Sequence, residues 1–174
     1  MTKLENKIDF KVVIAVTNAN PNGDPLNGNR PRQTSDGFGE ISDVAIKRKI
    51  RNRFQDLGQP IFVQSNDRTD DGFKSLHERA DSVPELVEAA KGKDADPEKY
   101  AKLACQHWLD VRGFGQLFAF KGSTKGTGVS VGVRGPISIQ TAVSIAPIDV
   151  EDMQITKSVN SEPVKAGGTA KGSD

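Results

Sequence analysis

The sequence predicts an α+β domain from three observations: a strand-period run at Ile8–Val16, an amphipathic helix over residues 42–57, and two further alternating runs between Val129 and Ile145. In the first run Ile8, Phe10, Val12, Ile14 and Val16 share one face. Val13 and Ala15 make its second half apolar on both faces, the pattern of a strand covered on each side. The periodicity then stops. Residues 18–39 are rich in Gly, Pro and Asn, which favour turns and positive φ, and so long a loop in a compact domain is either functional or disordered.

The helix that follows has Ser42 as its cap, Asp43 at the positive end of its dipole, and Gly58 and Pro60 as its stop. Its apolar stripe is Ile46, Ile50, Phe54 and Leu57. Ile61–Gln64 reads as a short strand. Residues 65–99 are polar and acidic, with helix starts at Ser82 (Glu85 completing a capping box) and at Asp96-Pro97. The second of these helices is expected to run to about Asp110 and to bury Tyr100, Ala104, Trp108 and Val111. Val129, Val131 and Val133 alternate with Ser130, Gly132 and Arg134. After Gly135-Pro136, Ile137, Ile139, Thr141, Val143 and Ile145 alternate with smaller or polar residues. The Gly/Lys/Ser-rich residues 163–174 are expected to be mobile. The chain thus divides into strand, loop and basic helix (1–60), helical insertion (61–126), strands (127–146) and tail (147–174).

Composition excludes several classes. At 174 residues, 35% hydrophobic, with a mean hydropathy of −0.51, the chain can bury a modest core. It has no run near the ~20 apolar residues of a membrane span. Met1–Phe10 carries acids and amides where a signal peptide needs an apolar run, so a cytoplasmic location is expected. A single cysteine, Cys105, rules out an internal disulfide. With 24 basic and 23 acidic residues, bulk charge names no partner, and any nucleic-acid signal is local.

The strongest local signal is in the helix. Lys47, Arg48, Lys49, Arg51 and Arg53 crowd together, and Lys47/Arg51 and Lys49/Arg53 are like-charge i,i+4 pairs, each costing a few tenths of a kcal/mol. A polyanion would relieve that repulsion and release counterions. The plainer reading is that Lys and Arg form helices well and snorkel around an apolar stripe. Arg30 and Arg32, in the glycine-rich loop, could fork onto phosphates cradled by backbone N–H groups, or could simply be solvated.

Other motifs fail on inspection. Arg112-Gly-Phe-Gly115 begins like an RNA-recognition signature, but Gln116 stands where an aromatic is needed, so Phe114, Phe118 and Phe120 read as packing residues. Asn18, Asn20, Asn22 and Gly23 imitate half a calcium loop, with Asn29 where a bidentate Glu belongs. Residues 122–126 lack the P-loop order. Cys105 and His107 have no second ligand pair, and His77 has no nucleophile at motif spacing. No catalytic residue, metal site or cofactor is expected.

Five stretches in order resemble a known family: Asn18-Ala-Asn-Pro-Asn-Gly-Asp24-Pro25 with Asn27-Gly-Asn-Arg-Pro-Arg-Gln33; Ser42–Arg51; Trp108-Leu-Asp-Val-Arg112 with Phe114-Gly115; Gly132-Val-Arg-Gly-Pro136 with Ile139-Gln140; and Ile155-Thr-Lys-Ser-Val-Asn160. They are similar to the backbone subunit of the type I CRISPR Cascade complex, subtype I-C, of the repeat-associated mysterious protein superfamily. The resemblance implies a ferredoxin-like, RNA-recognition-type palm with a helical insertion and a β-hairpin thumb. In it Ile8–Val16 is the first palm strand and Ile137–Ile145 the second, and the thumb begins after Ala146. It further implies copies assembled head to tail along a CRISPR guide RNA, bases displayed to a target DNA strand, other Cascade subunits as partners, and no membrane. Position by position, phosphate contact falls on Lys47, Arg48 and Arg51, then on Arg30, Arg32, Arg134 and Lys49. Met153 and Ile155 are candidate thumb wedges, or ordinary hairpin packing. In the family the palm continues beyond the thumb, so this sequence is expected to be an N-terminal portion. The competing function is a metal-dependent RNA endonuclease of the related type III effectors, with Asp24 or Asp36 as the loop acid. A general single-strand binder would need more than 6% aromatics.

Overall fold

The computed structural model describes residues 5–91, 95–121 and 128–157. Its strands begin later than the alternation predicts, because a strand requires a neighbour for its backbone groups. Ile8–Val16 has none among the described residues. The run forms no strand, and its apolar side chains stand exposed, from Ile14 at 44% to Val13 at 85%.

Order comes instead from the glycine-rich stretch. Strands β1 (Gly23–Asp24) and β2 (Arg30–Pro31) pair antiparallel across a short 3-10 turn at Pro25–Asn27, which Asp24 caps and Gly28 closes in the left-handed conformation. Strand β3 (Phe38–Ile41), also unforeseen, later receives a partner from far along the chain. Helix α1 (Asp43–Asp56) matches expectation at both ends: the Ser42 hydroxyl accepts from Ala45 N at 3.2 Å, and Gly58 follows with positive φ.

Ile61 and Phe62 are buried, but residues 61–64 form a bend rather than the expected strand. The helix expected from Ser82 starts at Pro84, with Glu85 in its first turn, and a helix that the sequence reading did not foresee precedes it. Ser75, not Ser82, caps α2 (Leu76–Asp81), accepting from Glu78 N at 3.1 Å, while the Glu78 carboxylate accepts from Lys74 N. Ser82 closes α2 by donating to Arg79 O, and Pro84 opens α3 (Pro84–Ala89). Asp96 caps α4 (Pro97–His107) as predicted. The backbone breaks at Trp108 (φ −126°), so the last turns form a separate helix, α5 (Leu109–Phe114).

Strands β4 (Gly115–Phe120) and β5 (Val129–Arg134) form an antiparallel pair with Phe118 opposite Val131, and β6 (Ala142–Pro147) pairs with β3. The alternating runs that end at Arg134 and at Ile145 therefore belong to different sheets. The described residues hold three two-stranded sheets and not a single palm sheet. The mixture of helices and antiparallel strands is α+β, as predicted. The tail over 163–174 and most of the thumb segment lie outside the described residues.

The core lies between the insertion helices and the β4–β5 hairpin. Phe62, Leu86, Tyr100, Ala104, Trp108, Val111 and Phe118 are buried there. The Phe62 ring sits 4.7 Å from Trp108 and 4.9 Å from Phe118, tilted in both cases, the arrangement that aromatic quadrupoles favour. All four residues expected to be buried at the end of the insertion are in this cluster. Helix α1 contributes none.

The two glycine-arginine motifs meet where α5 passes into β4. Gly115 has φ +79°, and a Cβ at Gly135 would come within 2.3 Å of Gly113 O and 2.4 Å of Gly115 N. Gly132, three residues earlier, has nothing within 4 Å. Gly135→Ala is expected to cost about 2 kcal/mol or more, a fall of roughly 5 °C in Tm. Gly132→Ala should stay within about 0.5 kcal/mol. Thermal unfolding of the two variants checks the crossing, and equal effects would contradict it.

Candidate nucleic-acid interface

Helix α1 carries the cations, and its docking decides which of them reach solvent. At about 100° per residue, Arg48, Arg51 and Gln55 share a face opposite the Ile46–Ile50–Phe54–Leu57 stripe. It is the polar face that packs. Arg48 Nη1 donates to Val63 O at 2.8 Å, and Gln55 Nε2 donates to Arg68 O at 3.0 Å. Burial pulls the Arg48 pKa downward, with the Arg51 charge acting in the same direction.

Between these two contacts lies a buried ion pair. Arg51 Nε donates to Asp110 Oδ2 at 2.9 Å, with the two side chains 11% and 0% exposed. Asp110 Oδ1 accepts from Phe62 N at 2.7 Å, and Oδ2 also accepts from Val63 N at 3.1 Å. The Arg51 guanidinium carbon lies 5.2 Å from the centre of the Phe114 ring. The opposite side of the Phe62 peptide is held as well: its carbonyl accepts from Arg79 Nη1 at 2.9 Å, and the buried Arg79 pairs with Asp71. Sequence reasoning missed this network. Its one visible signal was an aspartate at position 110, between Leu109 and Val111, in a segment otherwise reading as core.

The remaining predicted site residues are dispersed. Lys47 pairs with Asp43 at 3.0 Å, and that hydrogen bond lowers the Asp43 pKa. Arg32 lies between Asp24 (3.9 Å) and Glu40 (3.7 Å), and Arg30 pairs with Asp152. Their hairpin is tied to α1, since Asn22 Oδ1 accepts from both the backbone N and the hydroxyl of Ser42, each at 2.9 Å. Lys49 is exposed and makes no ion pair among the described residues. Arg53, on the same flank, is 69% exposed and 4.0 Å from Asp56. Arg134 is exposed on the β4–β5 hairpin, a different sheet from the one that includes the α1-proximal β3. Met153 and Ile155 are exposed in an irregular segment.

Of the other candidates, Asp24 is spent on its turn, its Oδ1 accepting from Leu26 N at 3.1 Å, and Asp36 is exposed. Phe118 is core, Phe120 stacks on His77 at 4.8 Å, and Phe114 lies under Arg51. Burial raises the Cys105 thiol pKa. Among the described residues no three His, Cys, Asp or Glu side chains gather as a metal site, and no helix is long and apolar enough to cross a membrane.

These features define a small α+β unit that displays a basic helix and a glycine-rich hairpin beside it. The family described as CRISPR-associated protein Cas7 matches residues 6–172. A CRISPR-associated protein Cas7 from Haloferax volcanii is 32% identical over 128 residues, 72% of this chain and 36% of the relative. The chain therefore belongs to the Cas7 family, and the match spans about a third of that relative's length.

The Arg79 hydrogen bond holds the Asp71 carboxyl below its ordinary value of 3.8. A depressed folded pKa stabilises the fold fully above the unfolded value, and this contribution is lost as pH falls through the folded one. Asp71→Asn should therefore be less stable than wild type at neutral pH and lose less stability on acidification below about pH 4. Denaturant midpoints at neutral and acid pH provide the check, and parallel losses in the two proteins would contradict it.

Proposed function

We propose that this chain is part of a guide-RNA-binding backbone subunit of a type I-C Cascade surveillance complex. In this reading copies line up head to tail along a CRISPR RNA, and other Cascade subunits complete the particle. The guide's bases are presented to a target DNA strand in cytoplasmic antiviral defence. Family membership supports the CRISPR setting, and the motifs from Asn18 to Asn160 support the I-C branch. The observation that carries the RNA contact is the exposed flank of α1, where Lys49 and Arg53 stand one turn apart.

Backbone phosphates are read by charge and shape, so the contacting groups need exposure and spare hydrogen-bond donors. Lys49, Arg53 and Arg134 have the exposure. Lys47, Arg30 and Arg32 sit in surface ion pairs, which contribute little and which a phosphate can compete for. Arg48 and Arg51, by contrast, are occupied internally, and we assign them to shaping the helix. Met153 and Ile155 remain the wedge candidates of the thumb. The role is that of a scaffold without bond-breaking chemistry. Of the two loop acids of the endonuclease alternative, Asp24 is committed to its turn and to Arg32, and Asp36 is exposed.

Lys49→Glu with Arg53→Glu should lower retention of single-stranded RNA at least about tenfold at moderate salt, with the salt dependence becoming shallower. Filter binding, with co-purified RNA read from absorbance at 260 and 280 nm, makes the measurement. Undiminished retention would contradict the site, and magnesium-dependent RNA cleavage lost in Asp24→Ala or Asp36→Ala would replace the scaffold with the endonuclease.

A further inference from the structure

Resting on the RNA-binding reading, we propose that Asp110 is a positioning residue for the interface. It withdraws Arg51 from the phosphate-contacting set and uses it to set the rotation of α1, so that Lys49 and Arg53 face outward. The geometry supports this in three respects. Asp110 is fully buried, and its oxygens are engaged by Arg51 Nε and by the N–H groups of Phe62 and Val63. An unpaired carboxylate in that place would be costly, so the guanidinium is held there by the same energy that forbids the carboxylate to be alone. Second, the pair joins α1 to the end of the insertion, whereas the apolar stripe of α1 contributes nothing to the core cluster. The rotation of the helix therefore rests on polar contacts, and of its two ion pairs to residues outside the helix, Arg51–Asp110 is buried whereas Asp56–Arg68 at the last turn is exposed. Third, Phe114 covers the guanidinium from the ring side, leaving Arg51 little approach for a phosphate. Lys49 and Arg53 differ from Arg51 by two positions, about 200° around the helix, which carries them away from Asp110.

The discriminating readout is the salt slope of RNA binding, because each phosphate contact to a single strand contributes about 0.7 to it. It should be measured with a labelled single-stranded RNA and the full chain by fluorescence anisotropy over a salt series. Arg51→Gln should leave the slope unchanged, while Lys49→Gln with Arg53→Gln should reduce it by about 1.4, the sum of two contacts. Asp110→Asn, which keeps an acceptor for Phe62 N but strands the guanidinium, should weaken binding by about tenfold with no fall in slope. Should either single variant unfold by circular dichroism, Arg51→Met with Asp110→Asn removes the pair as a unit, a replacement that buried ion pairs tolerate. This double variant should bind with the wild-type slope. A loss of about 0.7 in Arg51→Gln or in the double variant places Arg51 on a phosphate and overturns the inference while leaving the RNA reading intact. Absence of RNA binding by the wild-type chain overturns both.

Discussion

A carboxylate without solvent must be neutralised where it stands, and the arrangement around α1 follows from that requirement at Asp110. The Phe62 and Val63 peptides turn their N–H groups toward it, which fixes the bend at residues 61–64. Arg51 supplies the opposite charge and thereby docks α1. The same Phe62 peptide offers its carbonyl to Arg79, so the ring is delivered into the aromatic cluster with both its backbone groups satisfied. Helix, bend and insertion are thus tied through one residue's main chain.

How much of this was legible beforehand depended on whether local chemistry or a distant partner decided the outcome. Helix α1 and the start of α4 were legible because Ser42, Gly58 and Asp96-Pro97 act within a turn of themselves. Tyr100, Ala104, Trp108 and Val111 share a helical face and were correctly assigned to the core, although the backbone breaks at Trp108. Ile8–Val16 shows the opposite case: its alternation is strand-like, but pairing is non-local, and the run has no partner among the described residues. Strand β3 was hidden for the same reason, since its partner lies a hundred residues away and Gly39 contributes no pattern. Ser75 and Ser82 both offer a capping box; Ser75 caps α2, whereas α3 starts at Pro84 with no side-chain cap.

The candidate interface was legible as a class and not residue by residue. Charge density between Lys47 and Arg53 drew attention to α1. Composition cannot tell a cation that faces water from one that neutralises a buried acid, because that depends on Asp110, far along the chain. The helix consequently presents two kinds of positive charge: one internal, at Arg48 and Arg51, and one outward, at Lys49 and Arg53. The apolar stripe that a lone amphipathic helix would bury stays half-buried or exposed here, so polar contacts hold α1 where hydrophobic ones usually would.

The most direct test of the account is a double-mutant cycle on stability between Arg51→Ala and Asp110→Ala, followed by denaturant unfolding of the full chain. Each single change should be strongly destabilising, by about 3 kcal/mol or more. The pair together should cost clearly less than their sum, with a coupling of about 2 kcal/mol. Costs that simply add would show that the two side chains do not act as one interaction, and the account of how α1 is held would fail.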